Sequence, residues 1–344
     1  MRPREPTIAV VGAGAIGGVT AAFLDLAGKD LEIVCKHQEI VDRATSDGFH
    51  IFGAKGEHRI RLKAVRDIHH LSGPKDMVLL ATKANDCVAA AQDLLPFLHP
   101  HSALVSLQNG ICEDALAQVV GRDRVVGCVV GWGATFHGPG ELEITSEGEF
   151  VVGNLDQQPD GRLPRLQDLL GTVTPTRISG NILGELYAKL IINSCINSLG
   201  VITGLRLGKL LARRKVRNLF VEIMREAMAV AEAMNIRVEP GGGGKLDYYR
   251  FLAGRGLPSR WRQHIMVRII GFKYRRITSS SLQSLMRGRR TEIDYLNGYI
   301  AERAHENDVP TPLNDAIVGM VKEIEEGKRA VDPDNLNDPH FRGY

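Results

Sequence analysis

Ile8-Ala9-Val10-Val11-Gly12-Ala13-Gly14-Ala15-Ile16-Gly17 decides how this 344-residue chain folds. A short β-branched run leads into glycines spaced as GxGxxG, and a helix-forming stretch, Ala15–Ala27, follows at once. In that context each glycine has its own task. Gly12 permits a tight turn, Gly14 lets backbone approach a pyrophosphate, and Gly17 lets the helix lie close to the sheet. The helix N-terminus adds unpaired N–H groups and a partial positive charge for the phosphates. The expected contacts to a dinucleotide are therefore Gly12, Gly14, Ala15, Ile16 and Gly17. Ile8 to Leu24 carries no charge, which imitates a signal or membrane segment. The glycines at 12, 14, 17 and 18, and the lack of a small-residue cleavage site after them, point instead to a buried strand and helix.

Outward from this motif, the first half alternates β-branched runs with helical stretches, the pattern of a parallel sheet with crossover helices. Leu31–Cys35, Met77–Ala81 and Ala103–Leu107 read as strands, and Phe49–Ala64 as an irregular strand pair turning at Ala54–Gly56. Asp86–Leu98 reads as a helix. Val125–Val130 and Glu141–Val152 read as strands joined by the Gly138-Pro139-Gly140 turn, followed by a helix at Arg162–Leu170 and a strand at Thr174–Ile178. Beyond Asn181 long helical patterns take over at Leu183–Leu199, Val216–Met234 and Ile293–Glu306, and Gly241–Gly244 reads as a flexible loop. The expected organisation is an α/β Rossmann-type N-terminal domain, residues 1–179, and an all-α C-terminal domain, residues 180–344.

Composition limits the function. A 44% hydrophobic and 24% charged chain has ample core and no signature of disorder. A net charge of +3 is too mild to imply nucleic acid, and no aromatic-basic interleaving suggests a base-stacking surface. The five scattered cysteines have no CxxC spacing and fit reduced thiols. His99 and His101 flank Pro100 without a supporting carboxylate cluster, so no metal is expected. These features predict a cytoplasmic protein with a small-molecule partner, no nucleic acid or membrane partner, and a homodimer as an open option.

Cofactor choice is written at the end of the second strand, where an NAD enzyme presents a ribose-binding carboxylate. Here Cys35-Lys36-His37 stands there, and Glu32 lies too early, inside the strand. A cation without an acid suits the 2′-phosphate of NADP; Lys36 as a merely solvated charge is the alternative. Lys83, just past Met77–Ala81, and Asn109-Gly110, just past Ala103–Leu107, lie at strand ends too, where open α/β sheets bind ligands.

In the C-terminal half, Lys189, Asn193 and Asn197 recur at i, i+4 and i+8, which places an amine and two amides on one helix face. Leu186, Leu190, Ile191, Ile192 and Ile196 cover the other faces. The amides also suit cross-linking between helices, and Lys189 also suits snorkelling to solvent. Thr278-Ser279-Ser280-Ser281 suits a helix N-terminus able to hold an anion. Glu292 is an acid heading an apolar helical run, or equally a partner for the helix dipole.

Together the opening GAGAIG, the strand-end Thr82-Lys83 and Gln108-Asn109-Gly110, KLIINSCIN at 189–197, SSSLQ at 279–283 and RTEIDYLNG at 290–298 resemble the ketopantoate reductases. The resemblance covers nearly the whole chain in order. It implies NADPH-dependent reduction of 2-dehydropantoate to pantoate, a step of pantothenate biosynthesis. By resemblance Lys189 is the general acid at the C2 carbonyl, and Glu292 orders lysine and substrate. Asn193 and Asn197 hold the substrate's hydroxyl and carbonyl side, Ser280 meets its carboxylate, and Asn109 and Lys83 bring nicotinamide and substrate together. The chain departs from the family at Asp86, where Gln is frequent, at Ser198, where Pro is frequent, and in a longer basic-apolar segment, Lys245–Arg276. Another small 2-oxo acid reduced on the same scaffold, a 3-hydroxyacid dehydrogenase, and a non-catalytic NADPH sensor are the competing readings. The Lys189–Glu292 pair speaks against the sensor.

Overall fold

The computed structural model describes residues 5–158 and 160–344. By packing, the chain falls into two compact units: one runs to Gln108 and resumes over Cys112–Leu186, the other comprises Asn109–Ile111 and Tyr187–Tyr344.

The first unit is a Rossmann-type α/β unit. Its strands are β1 (Ile8–Val11), β2 (Leu31–Val34), β3 (Phe49–Gly53), β4 (His58–Ile60), β5 (Ala64–Val65), β6 (Lys75–Leu80), β7 (Leu98–Ser106), β8 (Val125–Val130), β9 (Gly133–Gly138), β10 (Glu141–Ser146), β11 (Phe150–Asn154) and β12 (Thr176–Ile178). Eight form one sheet, ordered β12-β11-β8-β7-β6-β1-β2-β5. β1 pairs in parallel with both β2 and β6, so the strand order reverses at β1 and the crevice at its carboxyl end is the expected ligand position. All four residues of β1 and of β2 are buried, as covered parallel strands require.

Helix α1 (Ala15–Leu26) explains the charge-free opening more fully than a single sheet does. A Cβ on Gly17 would stand 2.0 Å from the Gly12 carbonyl oxygen and 2.7 Å from Ala81 Cβ, and a Cβ on Gly18 would stand 2.6 Å from Leu142 Cδ1. Leu142 belongs to a second, four-stranded sheet, β4-β3-β10-β9. The helix is thus pressed between two sheets, and a charge on either face would be buried without a partner.

The small sheet corrects the expected strand pairing. Across Gly138-Pro139-Gly140 the partner of β10 is β9, not β8, and the Glu141–Val152 run divides into β10 in the small sheet and β11 in the large one. The chain leaves the large sheet at Gly131 and returns at Glu149, where the Gly131 N–H donates to the Glu149 carbonyl at 2.8 Å. A Cβ on Gly148 would stand 2.2 Å from the Gly131 carbonyl oxygen, so a glycine is needed at that crossing.

The second unit is helical. Helix α6 (Ile182–Thr203) enters it from the first. α6 is apolar and long enough to cross a membrane, but 78% of its most apolar window is buried inside the protein. It is followed by α7 (Leu207–Ala212), α8 (Arg214–Ala233) and helices at Tyr248–Leu252, Leu257–Lys273, Ser280–Met286, Asn297–Glu306 and Pro312–Glu325. Two expectations change here. The glycines at 241–244 form a defined turn: Gly242, Gly243 and Gly244 adopt positive φ, and Gly241 and Leu246 exchange backbone hydrogen bonds. The expected helix from Ile293 is instead a 3-10 turn, Ile293–Tyr295, separated from Asn297–Glu306 by Leu296 at φ −112°, ψ −104°.

All five cysteines are buried thiols, none of them in a disulfide, and burial pushes the Cys35 thiol up to about 12. Glu113 opens α4 (Glu113–Val120) and is almost fully buried. Burial pushes its carboxyl up from 4.5 to about 7, against opposing hydrogen bonds from the Glu113 and Cys112 backbone N–H groups. A carboxyl raised by folding stabilises the fold fully below 4.5, and that contribution is lost as pH rises through about 7. Glu113→Gln should therefore leave stability near pH 4.5 unchanged and raise it at pH 8 by up to about 3 kcal/mol. Urea unfolding at the two pH values checks this, and an identical pH dependence in both proteins would contradict it.

Candidate active site

In the first unit the glycine turn sits at the switch point. Gly12 has φ +110°, and a Cβ there would stand 2.7 Å from the Ala81 carbonyl oxygen and 2.9 Å from Thr82 N. The turn is thereby wedged against the end of β6. Beside Gly14, by contrast, nothing lies within 4 Å of a Cβ. The first turn of α1 carries no acidic residue, and no side chain caps it. An open glycine before an uncapped helix N-terminus is the cradle a pyrophosphate needs, so the residues present fit a dinucleotide. Ala15 and Ile16 open the helix at this point.

The strand-end cation Lys36 is exposed and lies 4.0 Å from Asp86, in the first turn of α3 (Ala84–Leu94). The expectation of a cation without an acid is thus corrected: an acid reaches Lys36 from a neighbouring crossover. The sequence shows Asp86 only as a departure from Gln, because what joins 36 to 86 is the placement of β2 and β6 on either side of β1. At this distance and exposure the pair contributes little. Glu32 is engaged elsewhere. Buried in β2, it accepts hydrogen bonds from Lys75 and from Ser72 N and Oγ. Burial pushes its carboxyl up, but the hydrogen bonds from Lys75 and Ser72 outweigh this and hold it below the ordinary value.

Lys83 is exposed and occupies the N-cap position of α3. Next to it, Thr82 Oγ1 accepts a hydrogen bond from Gln108 Nε2 at 3.3 Å, while Gln108 Oε1 accepts from Ser106 Oγ at 2.7 Å. In the sequence Gln108 stands out only as part of the Gln108-Asn109-Gly110 motif. It is buried and ties the ends of β6 and β7 together, a positioning role signalled by a polar residue directly after an apolar strand.

In the second unit α6 carries Lys189 and Asn193, both half-buried, and Asn197, which is buried. At 1.5 Å per residue the three span about 12 Å of one face. Asn193 Nδ2 is buried and has no hydrogen-bond partner among the described residues. Asn197 Oδ1 accepts from Ser280 Oγ at 3.1 Å and Ser281 N at 3.4 Å. These residues meet across 83 positions of sequence because Gly200 admits the serine tract: a Cβ there would stand 2.5 Å from Ser279 Oγ. Ser279 in turn caps the helix Ser280–Met286 through Leu282 N. Two of the predicted groups, Asn197 and Ser280, are therefore bonded to each other. Since Ser280 has one hydroxyl proton and donates it to Asn197, donating to a carboxylate requires that bond to open.

Glu292 is buried immediately before the 3-10 turn. Asn109 is half-buried, and its neighbour Gly110 (φ +86°) presses on this same turn: a Cβ there would stand 2.3 Å from the Tyr295 carbonyl oxygen. Ile111 N donates to that oxygen at 3.3 Å. The Asn109 and Glu292 segments are thus joined. No cluster of three or more metal-ligating side chains occurs among the described residues.

The two glycines separate binding from folding. Gly14→Ala should leave the melting temperature within about a degree and weaken dinucleotide binding, whereas Gly17→Ala should lower the melting temperature by several degrees through overpacking. Calorimetry and fluorescence titration of both variants check this; equal melting temperatures would contradict it.

Known proteins are similar to this chain over nearly its whole length. The sequence profile of the family "Ketopantoate reductase PanE/ApbA" matches residues 8–157, and that of its C-terminal domain matches residues 181–325. The 2-dehydropantoate 2-reductase of Mesorhizobium japonicum is 28% identical, over 92% of this chain and 97% of that protein. That of Pyrococcus abyssi is 26% identical, over 94% and 99%. The PanE/ApbA family ketopantoate reductase of Ralstonia eutropha JMP134 superposes with a TM-score of 0.79 at 27% identity, covering 94% of this chain and 99% of that one. A D-mandelate dehydrogenase solved with NADH and anilino(oxo)acetate shares the fold, with a TM-score of 0.77 at 23% identity over 93% and 98% of the two chains. The chain described here belongs to the ketopantoate reductase family.

Proposed function

We propose that this protein reduces 2-dehydropantoate to pantoate with NADPH, the first unit holding the nucleotide and the second the oxo acid. The observation that carries the substrate side is the unpartnered, buried Nδ2 of Asn193, one turn along α6 from Lys189. A buried donor left unmade is costly, and a substrate oxygen supplies the missing acceptor. Asn197 presents the same chemistry, since its Oδ1 is held by Ser280 and Ser281 and its amide N–H groups are left to donate.

A bound reduced nicotinamide supplies hydride to C2. Lys189 gives the proton to the C2 oxygen and stabilises the negative charge that develops there, acting as general acid and cation together. Glu292, an acid held in a buried position, favours the ammonium form of the lysine. Asn193 and Asn197 bind the hydroxyl and carbonyl side, Ser280 turns from Asn197 to meet the carboxylate, and Asn109 and Lys83 orient nicotinamide and substrate. The preference for NADPH rests on Lys36 at the end of β2 and on Glu32 being engaged by Lys75 and Ser72. The 2-dehydropantoate 2-reductases among the relatives support the activity.

Lys189→Ala should lower kcat by ~10²–10⁴-fold and leave NADPH affinity nearly unchanged. In the parent protein kcat/KM for NADPH should exceed that for NADH by roughly 10–100-fold, as expected for one charge-assisted phosphate contact. Lys36→Asp should erase the preference, and Asp86→Asn should sharpen it by removing a competitor for Lys36. Near-parental turnover in the folded alanine variant, or equal use of both cofactors, would overturn the respective assignment.

A further inference from the structure

Apart from Ser280, the proposed reaction makes no use of the stretch Tyr248–Thr291. Eleven of the chain's 43 basic residues and none of its 40 acidic ones lie there. The other 300 residues thus hold 32 basic against 40 acidic groups, a net of −8 beside a +11 segment. A mild overall charge conceals this division.

The helix Leu257–Lys273 shows how the segment is arranged. One face is anchored. Val267 is buried, Gln263 Nε2 donates to the Phe251 carbonyl at 3.0 Å, and a Cβ on Gly271 would stand 2.7 Å from Leu211 Cβ on α7. The opposite face carries Trp261, Ile265, Ile269 and Phe272, at i, i+4, i+8 and i+11, hence on one side of the helix. They are 73%, 39%, 62% and 71% exposed, and Leu257 at the helix start is 82% exposed. Arg262, Arg268, Lys273, Arg275 and Arg276 are exposed around them. A contiguous apolar stripe at the surface marks an interaction site. A polar face rich in Arg and Lys beside Trp, Phe and Ile is the composition of a helix that lies in the headgroup region of a membrane.

We infer that this face docks the protein on an anionic phospholipid surface, with Trp261, Ile265, Ile269 and Phe272 entering the headgroup boundary and the surrounding cations meeting lipid phosphates. Charge selects this occupant. A symmetric contact with a second copy would set one +11 segment against another. Three of the five exposed apolar residues, Leu257, Ile265 and Ile269, are aliphatic and offer bases no stacking platform, so the stripe fits a lipid boundary better than nucleic acid. The inference replaces the sequence-based expectation of no membrane partner and is independent of the proposed reaction.

The test is sedimentation of the full-length protein with vesicles of phosphatidylcholine, alone or with about one-third phosphatidylglycerol, at low and high salt. Binding should be at least ~10-fold tighter on the anionic vesicles and fall with salt. Each of Arg268→Glu and Arg276→Glu should weaken it about fivefold or more; Arg262 is left in place because its guanidinium donates to the Arg250, Phe251 and Ala253 carbonyls. Of the two tryptophans, Trp132 is buried, so a blue shift of emission on vesicle binding reports Trp261 and should vanish in Trp261→Ser. Ile269→Glu, another surface change, should abolish binding while the circular dichroism spectrum stays parental. Equal binding to both vesicle types would overturn the inference. So would capture of RNA without a blue shift, or a Trp261-dependent dimer in sedimentation velocity without vesicle binding.

Discussion

Between Gly12 and Gly17 there is no room for a side chain, and the first unit of the protein is arranged around that close approach. A Cβ at Gly17 would fall 2.0 Å from the Gly12 carbonyl oxygen, so the start of α1 can sit over the end of β1 only while that position is glycine. The approach brings the helix N-terminus to the carboxyl ends of β1 and β6 and leaves Gly14 with open space beside it. It also draws α1 into the second sheet, where Gly18 meets Leu142 and Phe49. One constraint thus places the dipole, clears the cradle and makes the helix the shared core of two sheets.

The second unit follows a different rule, the burial of polar groups on an apolar helix. α6 is apolar enough to resemble a membrane span, and the amides at 193 and 197 interrupt it on one face. The Oδ1 of Asn197 is satisfied by the serine tract across the Gly200 contact. Asn193 retains a buried donor without an acceptor. Under the proposed function a substrate oxygen is the acceptor that this donor lacks.

Legibility in the sequence followed the range of the interaction. The opening strand, turn and helix are local and were readable from glycine spacing and apolar runs alone, as were α6 and its i, i+4, i+8 polar face. The small sheet was not, because Glu141–Val152 is one continuous strand-like run, and its division depends on the crossing of Gly131 and Gly148. Asp86 beside Lys36 was hidden for the same reason: sheet order joins them. The bond between Ser280 and Asn197 was foreshadowed by the resemblance, which set both at one substrate, but not their pairing with each other. The exposed apolar stripe at Trp261–Phe272 was visible as interleaved residues, and only the anchoring of Val267 and Gly271 shows which side faces out.

The central claim is that the polar face of α6 recognises a hydroxylated 2-oxo acid. Its most direct test is the ratio of kcat/KM for 2-dehydropantoate to that for 2-oxoisovalerate, which lacks the hydroxymethyl group, with NADPH and in both the parent protein and Asn193→Ala. Buried groups built to bond a hydroxyl discriminate by as much as ~10⁴-fold. A large ratio is expected for the parent and a ratio near one for the variant. Equal reduction of the two acids by the parent protein would contradict it.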